Sequence, residues 1–282
     1  MNPLLFKADL HCHTNCSDGT VSPTDILYLA KEKGLQGLSI TDHDTISAYK
    51  EALPIAQALQ FPLVTGVEFS ASHNNKSIHL LGYSFTPGSS DILELCERHH
   101  ERRAERNGKI LELLTQKGMP IYPEDLPMVS ETHSFGRPHI ALAMIKKGYV
   151  QSIQEAFHDY IGEGKPCFAV GKTISVEETI EIIHKARGFA VIAHPHLIND
   201  ASIFNDMLKM NFDGIEGYYA QFPPSAHQRW VKAGEKRGWL ITGGSDFHGA
   251  VKPAIQLGSS WAPQETFKHL MDRFLENVSN AH

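Results

Sequence analysis

Residues 9–13 read DLHCH and form the end of a short apolar run near the start of the chain. Alternate side chains of a strand point to opposite faces, so His11 and His13 leave the same face and can chelate one ion, with Asp9 beside them. Cys12 points the other way, which favours packing. A single His-x-His pair is weak evidence for metal binding, so the rest of the chain decides what this stretch means.

Six further β-type runs follow, and helical patterns lie between several of them, which predicts an α/β fold. The predicted strands are Leu4 to Cys12, Gly37 to Thr41, Pro62 to Glu68, Ser77 to Tyr83, Phe189 to His194, Asp213 to Gly217 and Trp239 to Ser245. Ser22 and Ser175 have the sequence context of helix caps, and those two helices should end near Gly34 and Gly188. Seven strands are close to the number in a (β/α) barrel.

Metal-type side chains stand at the carboxyl ends of five of these runs, where barrels place their active sites. They are His11 with His13, Asp42 with His43, Glu68, His194, and Asp246 with His248. Chance explains such a placement at one strand more easily than at five. The pattern therefore predicts a metal site with several ions.

Two further candidates have ordinary alternatives on local sequence. Asp18 precedes Gly19 and fits a simple turn, while His79 lies in an apolar run and fits a core histidine. Imidazole and carboxylate donors without thiolate suit Mn, Fe or Zn better than Ca. Cys16 is left open.

Residues 92–165 interrupt the alternation, because they are charged, largely helical in pattern and lack a convincing strand. We expect an inserted helical subdomain there, which leaves residues 1–91 and 166–282 for the barrel and the metal site. Its first helix carries the basic run from Arg98 to Arg106. That run fits either a solvated helix face or a site for an anion.

Composition excludes several other classes of protein. The net charge of -6 over 282 residues argues against nonspecific binding to nucleic acid, and no stable duplex binding is expected. No apolar stretch reaches the roughly 20 residues that span a bilayer, so no membrane partner and no signal peptide are expected. Four scattered cysteines fit a reducing, cytoplasmic compartment.

The motifs resemble those of the PHP (polymerase and histidinol phosphatase) family of metal-dependent phosphoesterases. They read DLHCH at 9–13, TDHD at 41–44, AHP at 193–195 and GSDFH at 244–248. Within the insertion, GRPHIA at 136–141 and AFHDYIGEGKP at 156–166 resemble the branch with 3',5'-nucleoside bisphosphate phosphatases and 5'-to-3' exoribonucleases. The resemblance implies a distorted seven-stranded, TIM-like (β/α) barrel with a helical insertion that caps the substrate.

The resemblance also implies a set of metal ligands for two or three divalent ions, with Mn expected and Fe or Zn as alternatives. The implied groups are His11, His13, Glu68 and Asp246 for one ion, Asp18, His43 and His248 for a second, and Glu68, His79 and His194 for a third. A metal-bound hydroxide would be the nucleophile. The general acid is left open between His196 and His139.

The implied substrate is a nucleoside 3',5'-bisphosphate such as pAp, which would lose its 3'-phosphate, or a short 5'-phosphorylated RNA cleaved from its 5' end. Arg137 is the first candidate for a phosphate contact, and Arg102, Arg103, His139 and His196 are further candidates. Relatives often carry an arginine after the AHP motif, whereas this chain has His196-Leu197-Ile198 there.

Other readings are a histidinol-phosphate phosphatase, a noncatalytic metal-binding regulatory module and an accessory proofreading domain. The complete set of ligand positions argues against the inert module. A proofreading domain would need a polymerase partner supplied in trans.

Overall fold

The structure is a computed structural model that describes residues 6–126 and 136–280. Its strands overlap all seven runs that the sequence predicts. They are β1 (Ala8–Cys12), β2 (Gly37–Ile40), β3 (Gly66–His73), β4 (Lys76–Tyr83), β5 (Phe189–Ile192), β6 (Gly214–Tyr219) and β7 (Leu240–Gly244). The predicted start of the first strand, Leu4 and Leu5, lies outside the described residues.

Helices separate most of the strands. They are α1 (Pro23–Glu32), α2 (Tyr49–Ala58), α3 (Ser90–Gln116), α4 (Arg137–Lys146), α5 (Ile153–Ala156), α6 (Val176–Lys185), α7 (Ala201–Met207), α8 (Pro224–Glu235) and α9 (Gln264–Asn280). In the described part of the chain, none of them combines the length and the hydropathy that crossing a bilayer requires.

The predicted caps explain where α1 and α6 begin. The Ser22 hydroxyl accepts a hydrogen bond from the Asp25 backbone N–H at 3.0 Å, and that of Ser175 accepts one from the Glu178 N–H at 3.1 Å. Each bond satisfies a backbone donor that the first helical turn leaves without a partner. After α1 the chain turns at Gly34, whose φ of 71° lies in the left-handed region that glycine adopts freely. The predicted bounds of both helices are confirmed.

The strands of the described residues form two sheets. β1 and β2 pair in parallel, and β3 to β7 form a five-stranded sheet in sequence order. Isolated bridges join the edges, including Cys12 to Phe247 and His43 to Glu68. The predicted mixed α/β class is confirmed, whereas a continuous ladder closing all seven strands is not present among the described residues.

β3 and β4 form an antiparallel hairpin, which departs from simple (β/α) alternation. The turn residues Asn74 and Asn75 have φ values of 48° and 62°, a region that asparagine tolerates better than most residues. The predicted strand end at Glu68 is therefore wrong. β3 continues to His73, so Glu68 lies inside the strand.

Apolar side chains of several strands pack against α9 in one buried cluster. Leu10, Leu81 and Val191 are fully buried in one cluster with Phe267 and Leu270 of α9. Burying a side chain of this size contributes about 1.5–3 kcal/mol. The packed layer fixes the strands that carry the predicted ligands.

The chain divides into two compact units, Met1–Cys96 with Ile174–His282, and Glu97–Thr173. Both sheets belong to the first unit. The second has its own core, which includes Ile110, Leu114, Ile140 and Met144, and its described residues contain no strand.

Candidate metal centre

β1 and the residue that directly follows it bring two buried imidazoles, His11 and His13, to one point. The Nε2 atoms of His11 and His13 each lie 3.3 Å from Oε2 of Glu68, and His13 Nε2 lies 3.3 Å from Oδ1 of Asp246. Asp9 shares this face of the strand but turns away from the cluster, because its Oδ2 accepts hydrogen bonds from the Ser245 hydroxyl and the Gly258 backbone N–H.

Glu68 lies at the centre of the cluster. Its Oε1 is 2.8 Å from His79 Nδ1 and 2.8 Å from His194 Nε2, while its Oε2 is 3.2 Å from His43 Nδ1. The backbone of β3 fixes this position, since the Glu68 N–H donates to the Asp42 carbonyl and the Asp44 N–H donates to the Glu68 carbonyl. One carboxylate thus faces imidazoles from several strands.

Asp18 comes from a loop and meets three histidines. Its Oδ1 lies 3.3 Å from His248 Nε2 and 3.5 Å from His13 Nδ1, and its Oδ2 lies 3.7 Å from His43 Nε2. All nine side chains predicted as ligands therefore lie in one connected cluster. Their role as ligands stays a prediction.

Three groups in this cluster have the spacing of a metal site, with ligand atoms within 4.8 Å of one another. The groups are His13, Asp18, His43 and His248; His11, His13 and Asp246; and His43, Glu68 and His79. His194 joins through its contact with Glu68 Oε1.

Divalent cations fit the donor atoms of these groups. In the described part of the chain, four ring nitrogens of the cluster are buried and make no hydrogen bond, namely His11 Nε2, both nitrogens of His13 and His43 Nδ1. Leaving such atoms buried without a partner is unfavourable, and a bound cation would satisfy them. Cys12 stays out of the donor set, since its thiol donates to the Ser39 carbonyl.

Burial and opposite charge set the protonation of the cluster. Burial lowers the pKa of His43 to about 3, which keeps that imidazole neutral. Burial acts to raise the pKa of Glu68, but the surrounding histidines outweigh it and hold that pKa well below its usual range, so the carboxylate is ionised. The ionised carboxylate of Glu68 and the neutral ring of His43 both offer lone pairs to a cation.

Comparison with known proteins identifies the family of the chain that carries this cluster. The PHP domain family model matches residues 9–278. The chain belongs to the PHP domain family. It is 32% identical over 250 residues to a 5'-3' exoribonuclease of Haemophilus influenzae, covering 86% of this chain and 90% of that protein.

Two further proteins that this PHP domain chain resembles carry names of phosphoesterases. A 3',5'-nucleoside bisphosphate phosphatase of Chromobacterium violaceum is 26% identical, over 86% of this chain and 88% of that protein. The structure of a protein from Bifidobacterium adolescentis, thought to be a metal-dependent phosphoesterase, matches with a TM-score of 0.87 and 29% identity, covering 98% and 99% of the two chains. The predicted enzyme class, a metal-dependent hydrolase of phosphate esters, is confirmed.

Several side chains that contact the predicted ligands could not be identified from the sequence. Tyr219 and Lys252 both donate to Oδ2 of Asp246, at 2.6 and 2.7 Å, while Oδ1 of that residue faces the histidines. Glu216 contacts His11 and the backbone of His194. The only sequence signal for Glu216 was an acid inside the apolar run of a predicted strand.

His196 lies beside the cluster and packs among aromatic rings. Its ring centroid is 4.4 Å from that of Tyr219, 4.3 Å from that of Phe222 and 6.1 Å from that of His194. Burial lowers the pKa of His196 to about 4. Its neighbour Leu197 is 57% exposed.

The other predicted substrate contacts belong to the helical unit. Arg102 and Arg103 lie on α3, and Arg137 is the first residue of α4. The Arg137 guanidinium lies 5.5 Å from the ring centroids of both Phe157 and Phe168, and burial together with the charge of Arg103 lowers its pKa.

His139 has a local contact in the same unit. Its Nδ1 accepts a hydrogen bond from the Gly136 backbone N–H at 3.0 Å and so caps α4. The proton of its neutral ring is therefore on Nε2.

Proposed function

We propose that this PHP domain enzyme removes the 3'-phosphate of nucleoside 3',5'-bisphosphates such as pAp, giving a nucleoside 5'-monophosphate and phosphate. The observation that carries the proposal is the largely buried cluster of six imidazoles and three carboxylates with overlapping groups of metal-ligand spacing. The Chromobacterium violaceum relative, named as a phosphatase of such bisphosphates, supports the substrate class.

The proposed ligands are His11, His13, Glu68 and Asp246 for one ion, Asp18, His43 and His248 for a second, and Glu68, His79 and His194 for a third. Mn is the expected metal, with Fe and Zn as alternatives for these donors. Bound divalent ions would supply the positive charge that attracts a phosphate dianion and would acidify the attacking water.

The protein's own residues would then hold and position the substrate. We assign Arg137 to a phosphate contact, since a guanidinium can donate two parallel hydrogen bonds to phosphate oxygens. Arg137 lies near a second cation, Arg103, as well as near the acid Glu163. Arg102, Arg103, His139 and His196 are secondary candidates for substrate contacts.

A second candidate function is 5'-to-3' cleavage of short 5'-phosphorylated RNA. The 32% identity to the Haemophilus influenzae exoribonuclease favours it. The chemistry is shared, because in both reactions water attacks phosphorus, the bond from phosphorus to the 3' oxygen breaks, and that oxygen takes a proton. Only the group on the far side of the phosphate differs.

The test is a substrate panel with the purified full chain and added Mn²⁺. Release of phosphate from pAp is compared with release of nucleoside monophosphate from a 5'-phosphorylated trinucleotide, and with hydrolysis of histidinol phosphate. We expect the two nucleotide substrates to have far higher kcat/KM than histidinol phosphate. Preference for histidinol phosphate would overturn the nucleotide assignment, and bound Mn without any turnover would favour the inert module.

Variants of the helical unit test the substrate contacts separately. Arg137→Ala should raise KM for pAp by at least tenfold, because it removes a charge-assisted contact worth about 1.5 kcal/mol or more. Lys109→Ala, which removes an exposed charge on α3 of the same unit, is the matched control and should leave KM unchanged. Equal KM values in parent and Arg137→Ala would remove Arg137 from the substrate site.

A further inference from the structure

Glu216 is a buried acid in the middle of β6. It is 1% exposed, and each of its carboxylate oxygens has a separate partner. Oε1 lies 2.9 Å from Nδ1 of His11, and Oε2 accepts a hydrogen bond of 2.6 Å from the backbone N–H of His194. One side chain therefore connects β1 to the turn that follows β5.

The contact with His11 decides which ring nitrogen is available. A carboxylate can only accept at this distance, so Nδ1 of His11 carries the proton and the lone pair of the neutral ring is on Nε2. That Nε2 faces Oε2 of Glu68 at 3.3 Å and Oδ1 of Asp246 at 3.6 Å. Glu216 thus orients His11 with its free nitrogen toward the cluster.

The contact with His194 fixes an unusual backbone. His194 has φ 22° and ψ 64°, in the left-handed region, which a residue other than glycine adopts at a cost of about 1–3 kcal/mol. The hydrogen bond to Glu216 stabilises the amide in this conformation. In this backbone conformation, Nε2 of the His194 ring lies 2.8 Å from Glu68 Oε1.

We propose that Glu216 is a positioning residue, whose single carboxylate aligns His11 of β1 and His194 of the turn after β5 for metal binding. The inference rests on the proposed function only in taking those two histidines as ligands. Hydrogen-bond partners of metal-binding histidines typically contribute 10–100-fold to metal affinity.

The chemistry of the two contacts requires a glutamate at this position. Both partners are donors, since His11 presents N–H at Nδ1 and His194 presents its amide N–H. A glutamine has one acceptor oxygen, so its NH₂ group would face a donor on one side. An aspartate keeps both acceptors but is one methylene shorter and cannot reach both partners in place.

The experiment measures Mn²⁺ binding to the full chain after chelator treatment, by equilibrium dialysis without substrate. Glu216→Gln and Glu216→Asp should each weaken Mn²⁺ binding by 10–100-fold, at a temperature where circular dichroism shows the variants folded. Thr242→Val is the matched control. Thr242 pairs with Glu216 in the β6–β7 ladder and is equally buried, and its Oγ1 makes no hydrogen bond in the described part of the chain, so its replacement should change the affinity less than twofold.

The Mn²⁺ concentration that half-activates pAp hydrolysis should rise in parallel, with kcat recovering toward the parent value at saturating Mn²⁺. A merely structural role would lower the unfolding temperature without changing Mn²⁺ affinity. Parent-like affinity in both Glu216 variants, an equal loss in Thr242→Val, or failure of both Glu216 variants to fold would overturn the proposal. Because the binding assay contains no substrate, its result stands apart from whether the parent hydrolyses pAp.

Discussion

Asp42 holds the loop that carries Asp18, and its removal should loosen that loop by a measurable amount. Its Oδ1 accepts hydrogen bonds from the Thr14 backbone N–H at 2.7 Å and the Ser17 hydroxyl at 2.6 Å, and its Oδ2 accepts one from the Thr14 hydroxyl at 2.6 Å. The two bonds from fully buried Thr14 to a charged acceptor contribute about 1.5 kcal/mol each. We therefore expect Asp42→Ala to lower the free energy of unfolding by about 3 kcal/mol.

Urea unfolding of the chelator-treated chain, followed by circular dichroism, measures this loss. Ser17→Ala is the control, because it removes only a half-buried hydroxyl, which donates to Asp42 at 2.6 Å and more weakly to Asp18 at 3.3 Å, and should cost no more than about 1 kcal/mol. Asp42→Asn should fall between the two, since its amide oxygen still accepts from the Thr14 N–H. Because Asp18 contacts His13 and His248, Asp42→Ala should also weaken Mn²⁺ binding. A loss below about 1 kcal/mol in Asp42→Ala would refute the reasoning.

Three further predictions concern the cluster and its supports. Treatment with EDTA should lower the unfolding temperature. Adding Mn²⁺ at 100 times its Kd should then raise the free energy of unfolding by about 2.7 kcal/mol. Identical thermal scans with and without EDTA would contradict this prediction. Tyr219→Phe removes one of two hydrogen-bond donors to Asp246 Oδ2. Titration with Mn²⁺ should therefore show an affinity no more than about tenfold weaker. A loss above about a hundredfold would show that Lys252 alone cannot position that carboxylate. Gly244→Ala places a Cβ 2.4 Å from the His11 backbone nitrogen, so it should lower the free energy of unfolding in urea by about 3 kcal/mol. Gly108 in α3 has open space around it, so Gly108→Ala should leave that free energy unchanged or raise it by up to about 1 kcal/mol. Similar free energies for the two variants would refute the steric argument.

The strand ends could be predicted because they depend on local sequence. His11 and His13 follow from the two-residue repeat of a strand, and Asp246 and His248 were found because they come directly after an apolar strand. Helix starts at Ser22 and Ser175 depend on single side chains within three residues of the cap. Each of these signals is contained in a short segment, so sequence alone reveals it.

Residues that act across the fold could not be found in this way. Glu68 was placed at a strand end, but antiparallel pairing with β4 extends β3 and leaves Glu68 inside it. Glu216 and Asp42 act on partners 205 and 28 residues away in sequence, and nothing in their own segments indicates those partners. Asp9 shares the strand face of His11 and His13, but only the fold shows that Ser245 and Gly258 donate to its carboxylate.

The hairpin of β3 and β4 has a consequence for the order in which the chain folds. Glu68 and His79 are 11 residues apart, whereas Asp9 and Ser245, which join β1 to the end of β7, are 236 residues apart. Short loops close with less loss of entropy than long ones, and local contacts form early. The Glu68–His79 pair can therefore assemble while the chain is still being synthesised, but His11 and His13 must wait for Asp246 to emerge from the ribosome. The cluster of predicted ligands is therefore complete only after both β1 and the segment that follows β7 have been synthesised.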